Sequence, residues 1–204
     1  MVKGRPQPGE SSVPPAERLR LTPLPSIGHE QADGAIRRLW VTPPTQGPFD
    51  PDDVTWALDG VMVANQALLM PATPTDAFER HYGIHRSYTT WESVTPVVLP
   101  HLPQGQHSTG LDRLRQEARL AHAVAQAMRH ARIRAQLDSI RVQREPWHRY
   151  GHPSQDFSTE GRWTPDRFWH VRMRLTRPVM GPLVLGDGRF VGLGVLAPVQ
   201  EDNV

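Results

Sequence analysis

The sequence contains no cysteine, which excludes a disulfide framework and any metal site built on thiolates. It has no apolar run near the roughly 20 residues that a membrane-spanning helix needs. Met1–Ala16 also lacks the apolar stretch of a secretory signal. Together these absences predict a cytoplasmic protein with no membrane partner.

Lysine is almost absent as well. Lys3 is the one lysine among 23 cationic residues, and all the others are arginine. The formal net charge of the chain is +2. Arginine makes forked contacts to phosphate and stacks on unpaired bases. The alternative explanation is a GC-rich genome, whose codons favour Arg, Pro, Ala and Gly. Composition therefore permits RNA binding without indicating it.

Segments rich in proline and glycine separate the predicted strands and helix in the first half of the chain. Residues 1–17 are rich in Pro, Gly and Ser and predict a flexible leader. Strand patterns follow at Arg18–Leu24 and Ile36–Thr42, separated by the loop Pro25–Gly34. Apolar residues at helical spacing predict a helix over Asp53–Leu69.

The second half alternates strands with one long helix. Trp91–Leu99 favours a strand interrupted at Pro96, and Leu137–Arg144 and Phe168–Thr176 favour two more. The loop Gln104–Thr109 precedes a helix predicted over Leu111–Arg134, with Ser108 or Thr109 as its cap. Its predicted apolar stripe is Leu111, Leu114, Ala118, Ala121, Ala125 and Met128. Alternation in Phe168–Thr176 places His170, Arg172 and Arg174 on one face.

This order of elements predicts an α+β fold with antiparallel sheets, arranged as two ferredoxin-like (RRM-like) halves. The predicted division is a leader at 1–17, an N-terminal domain at 18–105 and a C-terminal domain at 106–204. The C-terminal domain would carry a glycine-rich loop.

That loop lies near the C-terminus, where five glycines bracket two short apolar runs: Gly181, Gly186, Gly188, Gly192 and Gly194. Glycine lets a backbone turn tightly and approach phosphate closely with its N–H groups. The segment lacks the Gly-Lys-Ser/Thr ending of a Walker loop and the third glycine of a dinucleotide fingerprint. Taken alone, it is better explained as a hairpin with a bulge.

Four collinear stretches resemble one protein family. They are Leu24–Gly34, Trp91–Pro100, Phe168–Thr176 and the run Arg177–Gly194, which contains Gly186-Asp-Gly-Arg-Phe-Val-Gly-Leu-Gly194. In this order they resemble CRISPR repeat-processing endoribonucleases of the Cas-six-like type. The likeness is to the type I-U (I-G) branch, where the nuclease is the C-terminal half of a Cas-five/Cas-six fusion, and it runs from about residue 18 to 198. Here the leader is too short for the Cas-five part, so the chain is expected to be a standalone subunit or a separately made C-terminal half.

The resemblance implies a subunit that binds a CRISPR repeat hairpin and cuts precursor CRISPR RNA without metal or cofactor, leaving a 2′,3′-cyclic phosphate. Its implied partners are Cas-five-like, Cas-seven-like and Cas-eight-like subunits of a type I effector complex, with target DNA met only through the complex. Such cleavage needs a base for the 2′-hydroxyl, an acid for the leaving 5′-oxygen, and cations around the phosphate.

His29 is the first candidate for that proton chemistry, because it lies in the loop that matches the family. Asp33 is predicted to orient its imidazole, and either Arg37 or Arg38 to supply the cation. The alternative is a histidine that only structures its loop. The predicted RNA contacts are Gly186, Gly188, Arg189, Gly192, Gly194, Arg172, Arg174 and Arg177.

The remaining histidines rank lower. His81 and His85 are spaced for a helical metal pair, but Gly83 between them and the lack of a nearby carboxylate argue against one. His148 and His152 lie in a loop with Trp147, Tyr150 and arginines, where either base stacking or a buried tryptophan anchor is expected. The main rival to a nuclease is a subunit that holds the repeat hairpin without cutting it. A backbone-forming subunit of the same complex and an unrelated hydrolase are less favoured.

Overall fold

A computed structural model of the chain describes residues 14–46, 50–63, 67–72, 76–100, 110–157 and 162–199. The strands in these ranges are β1 (Arg20–Pro25), β2 (Ile36–Thr42), β3 (Met62–Val63), β4 (Ala67–Leu68), β5 (Ser87–Ser93), β6 (Val97–Val98), β7 (Leu137–Gln143), β8 (Phe168–Met180), β9 (Leu183–Val184) and β10 (Val195–Pro198). The α-helices are α1 (Pro51–Leu58), α2 (Asp76–His81) and α3 (Gly110–His130).

The main sheet is built around β8. β7 pairs with one edge of β8 and β5 with the other, and β10 and then β9 continue the sheet beyond β5, all antiparallel. β6 pairs with the first residues of β8, through Val97 opposite Trp169. Pro96 separates β5 from β6, as predicted, because proline has no N–H to donate to a strand ladder.

Helix α3 covers one face of this sheet. Its buried side chains are Leu120, Ala123, Val124, Ala127 and Met128, and they pack with Trp91, Met173 and Leu175 in the largest core cluster. The predicted apolar stripe was therefore wrong at the start of the helix, where Leu111 and Leu114 are exposed. Alanines occur around much of the helix, so the sequence periodicity fits two neighbouring faces and only packing selects one.

The β1–β2 hairpin packs against the other face. Leu24 of β1 joins Val195 and Ala197 of β10 in a second core cluster. Tyr82, which is fully buried in that cluster, donates its hydroxyl to the Pro25 carbonyl oxygen at 2.6 Å. These contacts hold the loop between β1 and β2 over the sheet.

Residues 50–70 differ from their prediction. Asp50 caps α1 and Asp53 completes its capping box, but the helix ends at Leu58 rather than at Leu69. Gly60 has a φ of +71°, and β3 and β4 pair as a short antiparallel hairpin beyond it. A left-handed glycine ends a helix, and the β-branched residues Val61 and Val63 favour the extended backbone that follows.

The predicted α+β class with antiparallel sheets is confirmed, and strands β2 and β7 and helix α3 lie close to their predicted positions. Residues 1–13 of the predicted leader and the predicted loop Gln104–Thr109 with its capping residues lie outside the described residues. The boundary at 105/106 stays a prediction, although the main sheet crosses it, because β5 and β6 pair with β8 and β10.

Candidate functional site

A cleft of about 440 Å³ opens between two loops that are distant in sequence. The loop after β1 supplies one wall and the loop after β7 supplies the other. The lining residues are Ser26, Ile27, Gly28, His29, Glu30, Ala32, His148, Arg149 and Tyr150. Two imidazoles, His29 and His148, therefore line the same cleft.

The first loop is held in shape by its own backbone and by two buried side chains. Ser26 N–H donates to the Ala35 carbonyl and Gly34 N–H to that of Ser26. Ile27 and Ala32 are buried, so the residues between them are turned outward. Gly34 has a φ of +73°, and a Cβ there would lie 2.7 Å from the Tyr150 carbonyl oxygen. Glycine thus lets the two walls meet.

His29 is exposed in this loop, and its Nε2 lies 3.0 Å from Ser26 Oγ. Its ring centroid is 5.8 Å from that of His81. The His81 ring fills the space that a side chain at Gly28 would need. Burial lowers the pKa of His81, and His29 and Arg80 lower it further.

The carboxylate of Asp33, which is predicted to orient His29, bonds instead to Arg37 and Ala35. That carboxylate accepts two 2.7 Å hydrogen bonds from the Arg37 guanidinium and one from the Ala35 N–H. These bonds, the one from Arg37 first, hold the pKa of Asp33 well below its usual range. Arg38 is half-buried opposite Leu24, whereas Arg37 is exposed, so the two arginines lie in different surroundings.

The second wall contains the histidine with the more structured environment. His148 Nε2 lies 4.0 Å from Glu92 Oε2, and Glu92 also forms an ion pair with Arg172. The Arg172 guanidinium lies 4.8 Å from the centroid of the Trp147 ring. Burial lowers the pKa of His148, and nearby His170 lowers it further.

His170 lies beneath this wall and is fully buried. Its Nδ1 is 3.2 Å from Ser93 Oγ, and its Nε2 is 3.0 Å from the His152 carbonyl oxygen. Burial lowers the pKa of His170, whereas the hydrogen bonds to His152 and Ser93 raise it. With both ring nitrogens engaged, His170 joins β8 to β5 and to the loop after β7.

The glycine-rich segment packs tightly against the protein. A Cβ at Gly186 would lie 2.6 Å from the Val98 carbonyl oxygen, and one at Gly192 would lie 2.8 Å from Pro23. Many of its backbone N–H groups bond within the protein: those of residues 185, 187, 189, 191, 193 and 194. The glycines thus serve close packing onto β6 and β1, and the donors at those six positions are already engaged.

Arg189 extends from this segment toward the start of β1. Its guanidinium lies 4.7 Å from the centroid of the Phe190 ring, and that of Arg18 lies 5.5 Å from the same ring. Burial lowers the pKa of Arg20, and Arg189 lowers it further. Two arginines from distant segments, Arg18 and Arg189, therefore lie against one aromatic ring, and Arg20 lies close enough to Arg189 to be affected by its charge.

The predicted RNA-contacting arginines of β8 divide between two environments. Arg172 is turned toward Glu92 and Trp147 under the cleft. Arg174 is exposed, with its Nε 3.8 Å from Asp138, and exposed Arg177 donates to the Arg134 carbonyl. The structure thus does not bring Arg174 and Arg177 into the cleft lining.

Within the described residues no group of three or more potential ligands is placed to hold a metal ion. His85 instead pairs with Glu79. Sequence reasoning ranked His148 below His29 and missed Glu92. The tryptophan and arginines around His148 were a usable signal, whereas nothing near Glu92 indicated a role.

Comparison of the chain with protein-family models, with curated proteins and with solved structures gave no match. No described helix has the length and apolar character that crossing a membrane requires.

Proposed function

We propose that this protein binds CRISPR repeat RNA and cuts it without a metal ion, as a cytoplasmic subunit of a type I effector complex. The sequence resemblance is the reason for proposing CRISPR repeat RNA as the substrate. The observation that carries the chemistry is the pair of imidazoles, His29 and His148, in one cleft. Cleavage by an internal 2′-hydroxyl needs one base and one acid, and histidine can serve as either near neutral pH.

The two walls suit different parts of this reaction. The lowered pKa of His148 keeps its imidazole neutral, as a general base requires. The base takes the 2′-hydroxyl proton, the 2′-oxygen attacks phosphorus, and the P–O5′ bond breaks. His29, which lines the same cleft, then gives a proton to the leaving 5′-oxygen, and Arg149 is the cation of the cleft lining.

The part of the fold from β5 onward is compatible with the proposal. The order β7-β8-β5-β10, with α3 between β5 and β7, supports a ferredoxin-like unit in which the glycine-rich segment would take the place of the second helix. Arg189 and the arginines around Phe190 offer charge for an RNA backbone beside this unit.

A non-cutting subunit that only holds the repeat hairpin is the second candidate. One observation favours it: Asp33 is bound by Arg37 rather than placed beside His29, so His29 lacks the carboxylate that would orient it. Such a protein would use the same arginines without using the cleft.

The test is cleavage of end-labelled repeat RNA from the host's own CRISPR array, in EDTA, by wild type and three alanine variants. His29→Ala and His148→Ala should each lose roughly 10²–10⁴-fold in cutting rate while RNA affinity persists. His130→Ala, exposed at the end of α3 on the opposite face of the sheet, is the matched control and should cut normally.

The product should be a single cut ending in a 2′,3′-cyclic phosphate. Tight binding without cutting, with partner subunits also tried, would establish the holding subunit instead. Absence of both binding and cutting would remove the assignment to repeat RNA altogether.

A further inference from the structure

The chain exposes a cluster of large apolar side chains far from the cleft residues in sequence. We call residues 50–63 and 67–70, which comprise α1 and the β3–β4 hairpin, the arm. Its exposed apolar residues are Trp56, Val61, Met62, Val63, Leu68 and Met70, with Trp56 83% and Met70 76% exposed. Single exposed apolar residues are ordinary on a protein surface, whereas six of them within one short segment point to an interaction site.

The arm is ordered by its own bonds although its apolar residues face outward. Asp50 caps α1, and Gly60 N–H donates to the Leu69 carbonyl. Met62 pairs with Leu68 across the hairpin, so these two side chains share one face. Val54 is the buried member of α1. The apolar surface is therefore presented on formed secondary structure.

The arm is also acidic. It contains Asp50, Asp52, Asp53 and Asp59, all exposed, and it contains no arginine or lysine. Since the whole chain carries a formal net charge of +2, the remainder of the chain is more basic than that total suggests. A partner for the arm needs an apolar surface with basic residues beside it.

The start of α3 has this character. Leu111 and Leu114 are 56% and 63% exposed, and their spacing places them side by side on the helix. Arg115 and Arg119 are exposed near them, with Glu117 also exposed between the two arginines and Arg115 in a 3.6 Å pair with Asp112. The other exposed large apolar residues in the described part are scattered: Ile36, Tyr150, Met180 and Val191.

We propose that the arm of one copy of this chain docks on the first turns of α3 of a second copy, with Trp56, Met62 and Leu68 against Leu111 and Leu114. The four aspartates of the arm then face Arg115 and Arg119. The two surfaces differ, so the contact is head-to-tail, and a dimer keeps one free arm on one copy and one free α3 surface on the other. Association therefore extends beyond a dimer unless the rotation closes a ring.

The experiment is sedimentation velocity on RNA-free protein from about 1 to 100 μM, a range that detects a micromolar Kd. Wild type should gain mass with concentration and pass the dimer. Trp56→Gln lacks a working arm, Leu114→Gln lacks a working α3 surface, and each alone should remain a monomer. Mixed in equal amounts, they should form a dimer that grows no further, because one intact surface remains on each.

Met180→Gln, at an exposed apolar residue outside both surfaces, is the matched control and should associate as wild type does. Circular dichroism on all variants checks that each is folded. A wild type that stays monomeric over the whole range would overturn the proposal. So would association that survives Trp56→Gln, or a mixture of the two variants that fails to dimerise.

Discussion

His29 and His148 line one cleft but have different surroundings. His29 is exposed and contacts Ser26 and His81. These two contacts are also what a histidine with only a structural role in its loop would make. His148 is half-buried and lies against a Glu92–Arg172 ion pair. A sequence pattern finds the first, because its loop is short and bracketed by glycines. It does not find the second, because Glu92 and His148 meet only in the folded chain.

Acid should destabilise the protein through its buried histidines. Burial lowers the pKa of His170 in the folded state, so the unfolded state binds more protons below the ordinary value of about 6.5. The free energy of unfolding should therefore fall as pH drops from about 7, until the folded-state pKa is passed. His81 and His148 add to the same trend, since their pKa values are also lowered.

Urea unfolding at several pH values measures this slope. His170→Gln should be less stable than wild type near pH 7 but should lose less stability between pH 7 and 5, because one titrating group is gone. His130→Gln, at an exposed position, is the control and should keep the wild-type slope. An unchanged slope in His170→Gln would show that the other groups carry the whole effect.

At the scale of elements, the glycine-rich segment needs glycine both for its backbone conformation and for its close packing. Gly186, Gly192 and Gly194 all have φ between +75° and +83°, and a Cβ added at each would overlap Val98, Pro23 and Leu185 respectively. The sequence indicated that glycines were needed here but left open whether they approach a ligand or the protein itself. The structure places six of the segment's N–H groups on protein carbonyls.

Gly194→Ala should destabilise the protein by clearly more than the strain of a left-handed alanine alone, which is about 1–2 kcal/mol. The added Cβ would overlap the Leu185 carbonyl oxygen. Gly60→Ala is the matched control, because Gly60 has a φ of +71° with nothing within 4 Å of the added atom. Chemical denaturation of both variants should therefore show a larger loss for Gly194→Ala. Equal losses would mean that the segment relaxes freely.

At the scale of the whole molecule, one sheet joins the two predicted domains. β5 comes from the first half of the chain and lies between β8 and β10 of the second half. Its neighbours place Glu92 opposite Arg172, which puts a carboxylate from one half under a cleft wall from the other. The cleft and the arginines around Phe190 are therefore products of pairing between distant segments.

If the arginines around Phe190 bind an RNA backbone, RNA affinity will depend on salt. The logarithm of the association constant should fall with log salt by about 0.7 per neutralised phosphate on a single strand. Arg189→Gln should lower the affinity and reduce this slope by about 0.7. Arg189→Lys keeps the charge, so it should keep the slope while losing the forked contact. Fluorescence anisotropy with uncleavable 2′-deoxy repeat analogues measures both; an unaltered slope in Arg189→Gln would exclude this contact.

The sequence by itself determined the α+β class, the strands β2 and β7, the first part of β8, the position of α3 and the interruption at Pro96, because alternation, helical spacing and proline chemistry act locally. Tertiary structure alone decided which face of α3 is buried and which histidines share a cleft. The physical reason is that alanine-rich periodicity fits more than one helix face. Contacts such as His148 with Glu92 depend on strand pairing across the chain, which no local pattern encodes.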